Sequence, residues 1–318
     1  MSTTIIAPVR MSELREAFEL VCAASTEPSS AERVAHLHDL VAAGEIDPRG
    51  IFVARRDGAI ISVFVCLAMP GASGLVWPPC GDASTFESLV AAGLAWLTSR
   101  GTKLVQAIVA AADEASLEPL QRVGFRAAGP MFFFRHHVEP AHLRADRPEL
   151  NLMPLASAGL DVFAGTLERT YEGTHDFPEL AGVRSIFEVI AAYKANPHFR
   201  EEHSRLAMVR GEPAGILLLS EVEPFETWDL SYLGVVPEQR GHGLGTALVA
   251  AAIDIVYDAG GERLDVAVDS RNGPAIQLYQ RLGFQLLGER LVSLRILGCD
   301  AENGGKPTLP IDCGEPAN

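Results

Sequence analysis

The residues best placed to do chemistry lie in the run Val235-Val236-Pro237-Glu238-Gln239-Arg240-Gly241-His242-Gly243-Leu244-Gly245-Thr246, which leads from an apolar strand pattern into an alanine-rich helical one. A helix start leaves backbone N–H groups without partners, and its dipole adds partial positive charge. Glycines there admit a bulky anion where a Cβ would stand in the way, and Arg240 supplies a cation. The chemistry to expect is the binding of a phosphate or diphosphate. The spacing, RxxGxG, fits neither the lysine-bearing phosphate loop nor the GxGxxG turn of dinucleotide folds.

A second group follows: Asp269-Ser270-Arg271-Asn272, then Pro274-Ala275, then Leu278-Tyr279-Gln280-Arg281-Leu282-Gly283-Phe284. A tyrosine phenol is protonated at neutral pH, so Tyr279 can donate a proton. Upstream, strand alternation would put Asp229, Ser231 and Leu233 on one face, with Asp229 a candidate base and Glu226 or Glu223 as alternatives. Tyr171-Glu172-Gly173-Thr174-His175-Asp176 joins two helical stretches and could recognise a cationic amine, or simply cap a helix and meet solvent.

A strand ending Val-x-Pro followed by RxxGxG resembles the pyrophosphate loop of the GNAT superfamily of N-acetyltransferases, and residues 269–284 resemble that family's later signature. The resemblance implies acetyl-CoA as cosubstrate. It places the coenzyme against Leu233, Val235, Val236, Arg240, Gly241, His242, Gly243, Leu244, Gly245, Thr246 and Asn272, and gives Tyr279 the task of protonating the departing sulfur. By the same resemblance, backbone N–H groups of Leu233-Gly234-Val235 stabilise the oxyanion at a bulge that Gly234 would suit. Asp229 lies where family members often carry a glutamate base, and Tyr171, Glu172, His175 and Asp176 line the acceptor pocket. The implied activity is direct transfer of an acetyl group to a primary amine of a small molecule or an amino terminus. The alternatives are a CoA-binding module without turnover, and an acyltransferase using another acyl-CoA or an O-acceptor.

These residues must be held by a scaffold that the chain contains twice. Leu120-Gln121-Arg122-Val123-Gly124-Phe125 matches Tyr279-Gln280-Arg281-Leu282-Gly283-Phe284 half a chain length away, and Leu89-Val90-Ala91-Ala92 matches Leu248-Val249-Ala250-Ala251 at the same offset. Periodicity and turn signals give each half one order of elements. In the second half these are strands at 151–155, 205–209, 215–220, 227–236 and 263–268, helices at 160–170, 183–195, 243–259 and 274–282, and a strand pair over 284–297. In the first half they are helices at 12–24, 31–43 and 85–99, strands at 51–55, 60–67 and 104–110, and paired strands after Phe125. The expected fold is mixed α/β: two tandem GNAT-like domains, each a central mixed, largely antiparallel sheet flanked by helices. The expected boundaries are 1–141, 149–299 and a flexible tail at 300–318, joined by a charged, proline-containing segment at 142–148.

The first copy reads as degenerate. Gly81, Ser84 and Phe86 stand where the second has Arg240, Gly243 and Gly245, and Asp113 and Leu120 stand for Asn272 and Tyr279. Such a half keeps the fold without a phosphate loop, an arrangement similar to that of mycothiol synthase, a tandem family member with one working half.

Composition narrows the rest. With 318 residues, 48% hydrophobic and 21% charged, the chain has room for two cores. A net charge of −15 disfavours nucleic acid. Cys22, Cys66, Cys80, Cys299 and Cys313 form no CxxC pair, so a zinc site is not expected. No apolar run approaches the roughly 20 residues of a membrane span. The expectation is a cytoplasmic enzyme, monomer or homodimer, without metal or membrane.

Overall fold

The computed structural model describes residues 3–24, 31–139, 150–222 and 226–298. The segment 142–148, the tail from 300 and Glu223 lie outside them. The first half runs β1 (Thr4–Pro8), α1 (Leu14–Ala23), α2 (Ala31–Ala42), β2 (Ile51–Arg56), β3 (Ala59–Met69), β4 (Ser73–Gly81), α3 (Phe86–Ser99), β5 (Leu104–Ala110), α4 (Glu118–Arg122) and β6 (Arg126–His137). The second repeats it: β7 (Leu150–Pro154), α5 (Leu160–Tyr171), α6 (Ile186–Ala195), β8 (Arg205–Val209), β9 (Glu212–Val222), β10 (Thr227–Val235), α7 (Leu244–Asp258), β11 (Arg263–Asp269), α8 (Gly273–Arg281) and β12 (Gln285–Ile296).

Local chemistry explains the repeated parts. The β2–β3 hairpin turns on Asp57-Gly58 and the β8–β9 hairpin on Arg210-Gly211, with φ positive at all four residues. Two consecutive positive φ values match the right-handed twist of the strands they join. Helix α7 is apolar around most of its circumference and buries Leu244, Leu248, Val249, Ile253 and Val256. It packs on Leu217, Leu219, Trp228 and Leu230 of the sheet, while α5 and α6 cover the opposite face through Phe163, Leu167 and Ile190. The first half is layered the same way, with α3 and α4 on one face and α1 and α2 on the other.

The twelve strands form one continuous sheet in the order β1-β2-β3-β4-β5-β12-β6-β11-β10-β9-β8-β7. Repeat equivalents β6 and β12 have changed places: β12 pairs with β5 of the first half, β6 pairs with β11 of the second, and the two pair with each other. All pairings are antiparallel except β4–β5 and β10–β11.

Several features differ from the sequence expectation, among them the short helix α4, where no element was expected. Strands β1 and β4 were not anticipated, because one is short and ends in Pro8 and the other contains Pro78-Pro79, both strand-breaking signals. The strand pairs expected after Phe125 and Phe284 are single twelve-residue strands. Gly129, at φ +95°, and Gly288 mark irregularities in the β6–β12 ladder rather than turns.

Candidate functional site

Strands β10 and β11 are paired in register only from Thr227–Asp229 to Arg263–Asp265. Beyond this they part, and a cleft of about 700 Å³ opens between them, bounded by the loop after α5, the turn before α7 and the face of α8. On its other side β10 stays paired with β9, with a register shift between Leu230 and Tyr232. The bulge is therefore at Ser231 and not at Gly234. It exchanges the faces of the strand: Trp228 and Leu230 belong to the α7 side, and after the shift Leu233 and Val235 do, while Tyr232 turns to the α5 side. Asp229 and Ser231 thus share a face, but Leu233 does not join them, which corrects the simple alternation. Gly234 has another reason to be glycine. A Cβ there would come within 2.7 Å of Thr170 and 2.6 Å of the Tyr232 hydroxyl, which are themselves hydrogen-bonded at 2.7 Å.

The Val236 amide donates to Ala214 O at 3.0 Å. Alternation then directs the amides of Leu233 and Val235 to the other edge, into the gap that β11 has left. Past a single 3-10 turn at Pro237–Gln239, Gly241 and Gly243 both take φ +76°, and Gly243 caps α7 without any side chain to offer. The first intrahelical bond is from Ala247 N–H to Gly243 O, so the amides of Leu244, Gly245 and Thr246 have no partner within the helix. Gly245 is helical and faces Leu278, 3.3 Å from where its Cβ would be.

Arg240 lines this cleft, and three of its donors are already engaged. Nε donates to Val235 O at 3.0 Å, Nη2 to Thr170 O at 3.0 Å and Nη1 to Gly173 O at 3.3 Å. Its charge thus sits at the C-terminal end of α5, where the helix dipole favours a cation, and it staples the glycine turn to the loop after α5. An ion pair from Arg169 to Glu238 at 2.8 Å adds a second tie.

Tyr279 is buried within the cluster that holds Phe134 and Phe284, and it lines the cleft. Burial raises its phenol pKa, and the nearby Asp176 and Asp229 carboxylates raise it further. Asp176 is on an exposed loop, but its carboxylate turns inward. Oδ1 accepts the Asp269 amide at 2.8 Å, and Asn272 adds a side-chain hydrogen bond. Loss of hydration dominates those bonds, so the Asp176 pKa is raised. Asn272 also caps α8 through the Ala275 amide at 3.3 Å. Asp229 is half-buried behind the cleft edge; burial, opposed by a hydrogen bond from Ser231 and reinforced by Asp265, pushes its pKa to about 6.

The structure brings together Leu233, Val235, Arg240, Gly241, Gly243, Leu244, Gly245, Thr246, Asn272, Tyr279, His175 and Asp176 around one cleft. Others expected there stand elsewhere. Val236 is buried with its amide engaged, and His242 is exposed and outside the cleft lining. Glu226 sits at the far end of β10, roughly 30 Å of strand from Val235, and pairs with Arg263 at 2.9 Å. It is corrected as a candidate base. Glu172 is an exposed C-cap of α5. Tyr171 packs behind the cleft against Tyr232, with ring centroids 5.5 Å apart. Sequence reasoning missed Thr170, Tyr232 and Gln239, which line the cleft, and gave Ser231 no role. The sequence carries no signal for them, since Tyr232 is turned by the bulge, Thr170 is brought in by the crossing of α5, and Gln239 lies in the 3-10 turn before α7.

The equivalent turn of the first half is closed by its own carboxylate. Asp82, which occupies the place of Gly241, accepts the Ser84 amide at 3.0 Å and its hydroxyl at 2.7 Å, and pairs with Arg56 at 2.9 Å. A cavity of about 630 Å³ lies nearby, between β4, β5 and α2, but it has no glycine turn of bare amides and no counterpart of Tyr279. Among the described residues, no group of acidic, cysteine or histidine side chains could hold a metal ion, and no helix is long and apolar enough to cross a membrane.

The description "Acetyltransferase (GNAT) family" belongs to the family model that matches residues 171–284. The N-alpha-acetyltransferase RimI of Mycobacterium tuberculosis is 32% identical over 123 residues, covering 39% of this chain and 72% of that protein. A mycothiol acetyltransferase of Clavibacter sepedonicus is 42% identical over 53 residues, but the match spans only 17% of either chain. In fold, the chain is similar to a GCN5-related N-acetyltransferase from Sphaerobacter thermophilus, with TM-score 0.62 and 17% identity over 92% of this chain and 95% of that one. It is also similar to a tandem GNAT protein from the clavulanic acid biosynthesis pathway, with TM-score 0.53 and 15% identity over 92% and 98%.

Proposed function

The chain belongs to the GNAT acetyltransferase family, and from that membership we propose that its second half transfers an acetyl group from acetyl-CoA to a primary amine in the cleft between β10 and β11. The observation that carries this reading is the meeting, in one cleft, of an uncapped glycine turn at α7 with Tyr279, Asp176 and Ser231, the last hydrogen-bonded to Asp229 behind the cleft edge. The turn supplies bare amides to a diphosphate, and Arg240 holds its shape while adding charge. The fit is specific to this half, because Asp82 closes the matching turn in the other.

In this reading Asp176 and His175 hold the acceptor as an ammonium. Asp229, with a pKa near neutrality, takes one proton from it through a water beside Ser231. The freed nitrogen lone pair forms the bond to the thioester carbonyl carbon, while the amides of Leu233 and Val235 face the developing oxyanion. As the carbon–sulfur bond breaks, Tyr279 gives its proton to the sulfur. The proton held by Asp229 restores the phenol through solvent, and the nitrogen, still protonated after its attack, sheds its second proton to solvent as the intermediate collapses, so the products are an amide, a free thiol and one released proton. The first half binds no coenzyme.

The names of the relatives point to two acceptor classes, an amino terminus and a small amine, so both belong in the test. We expect thiol release from acetyl-CoA with one class of acceptor in a panel of small amines, amino acids and peptides. Coenzyme binding without release on any acceptor would instead mark a non-catalytic CoA-binding module.

A further inference from the structure

We propose that the first half of the chain is the platform that sets the acceptor loop of the second, with Phe177 as the positioning residue that aims Asp176 into the cleft. The inference rests on the reading above for the identity of the acceptor site.

Phe177 has φ +44° and ψ 60°, a left-handed conformation that costs a bulky residue free energy and persists only where its surroundings enforce it. Two contacts do so. The Phe177 amide donates to Asp269 Oδ2 at 3.0 Å, and the Asp269 amide donates back to Asp176 Oδ1 at 2.8 Å. The Phe177 side chain, with Leu180 and Val183, packs against a buried cluster of Leu104, Ala128, Val292 and Leu294. Leu104 and Ala128 come from β5 and β6 of the first half, and Val292 and Leu294 from the exchanged β12 that lies between them. A strand of the first half therefore lies beneath the loop that presents Asp176.

Further ties act in the same direction. Lys103, preceding β5, pairs with Glu188 of α6 at 2.7 Å, and Arg184 donates to Gly71 O at 3.3 Å. Gly71, at φ +75°, lies so close to α6 that a Cβ would stand 2.3 Å from Glu188 O and 2.8 Å from the Ala192 Cβ. The turn bearing Asn272 is held too, since the Ser270 amide donates to Pro130 O of β6 at 3.0 Å. Two of the segments that face the cleft, the loop after α5 and the turn bearing Asn272, are thus fastened to strands of the half that lacks the glycine turn. The duplicated half has kept a role in the reaction through the loop that presents Asp176.

The test compares the intact chain with Phe177→Ala, Phe177→Leu and the exposed first-half variant Lys103→Ala, by hydrogen exchange at residues 174–183 and by steady-state kinetics. Phe177→Ala and Lys103→Ala should speed exchange in that segment, and Phe177→Ala should raise KM for the amine about tenfold. CoA affinity by calorimetry should stay within about twofold, and Phe177→Leu should recover most of the loss. Unchanged exchange at 174–183 in both variants, or an equal fall in coenzyme and amine binding, overturns the proposal. Because exchange needs no substrate, a chain that acetylates no amine sinks the assigned activity and leaves the platform to be judged by exchange alone.

Discussion

Ser231 Oγ donates to Asp229 Oδ2 at 2.9 Å, which links a half-buried acid to a residue that lines the cleft. Since burial raises the Asp229 pKa to about 6, the carboxylate is the majority form at neutral pH and remains basic enough to accept a proton. The kcat/KM profile should rise through about pH 6 and level above it. Asp229→Asn should remove that limb and lower kcat about a hundredfold. An unaltered acidic limb in the variant would assign the base elsewhere.

The same shift has a consequence for stability. The folded pKa lies above the unfolded one, so Asp229 contributes stability that is complete below about pH 4 and is lost as pH rises through about 6. Asp229→Asn should therefore melt at a higher temperature than the parent at pH 7, with the gap closing toward pH 4. Thermal melts at the two pH values measure this, and a variant less stable at pH 7 contradicts it.

Tyr279→Phe should lower kcat about a hundredfold while leaving the Kd for CoA and the melting temperature near those of the parent. Its ring packs against Phe134 and Phe284, and phenylalanine preserves those contacts. Equal kcat in the variant would make the tyrosine a core residue only.

Arg240→Ala should weaken CoA binding about tenfold and also raise KM for the amine, because the side chain ties the glycine turn to Thr170 and Gly173 on the acceptor side. Arg240→Lys keeps the charge but not three directed donors, so it should restore coenzyme affinity better than acceptor KM. Calorimetry and steady-state kinetics on both variants separate the two effects.

Calorimetric titration with CoA should give one site per chain. Gly243→Ala, which forces a Cβ onto a residue at φ +76°, should abolish binding rather than halve it. A residual site with the same affinity would place coenzyme in the first half, against the closure of that turn by Asp82.

Much of this site was legible because its parts are local. A strand running into RxxGxG carries its meaning in a few neighbouring residues; the glycines were read as room for an anion, and the structure adds that Gly241 and Gly243 also take positive φ. Tyr279 sits on a short helix whose amphipathic pattern fixes its direction, and Asn272 caps that helix at its start. What could not be read depends on register and on distant chain. One extra residue at Ser231 moved Leu233 to the opposite face from Asp229, and no periodicity marks a bulge in advance. Glu226 looked near Asp229 in sequence, yet a strand carries successive residues steadily away from the cleft. The degeneracy of the first half was read from Gly81, Ser84 and Phe86, whereas the turn is closed by the carboxylate of Asp82, which the sequence did not single out. The exchange of β6 and β12 left no local trace, because either partner strand satisfies the same apolar pattern.

That exchange governs how the protein can be made. When the ribosome has delivered residues 104–137, β5 still lacks its inner neighbour, which is not synthesised until residues 285–296 emerge. The exchanged ladder therefore cannot form until residues 285–296 have been translated, and until then the edge of β5 that β12 will cover is open to other pairing. A gene cut between the repeats would yield two fragments, each ending in the strand that the intact chain pairs with the other half, and co-expression would let the exchanged sheet form.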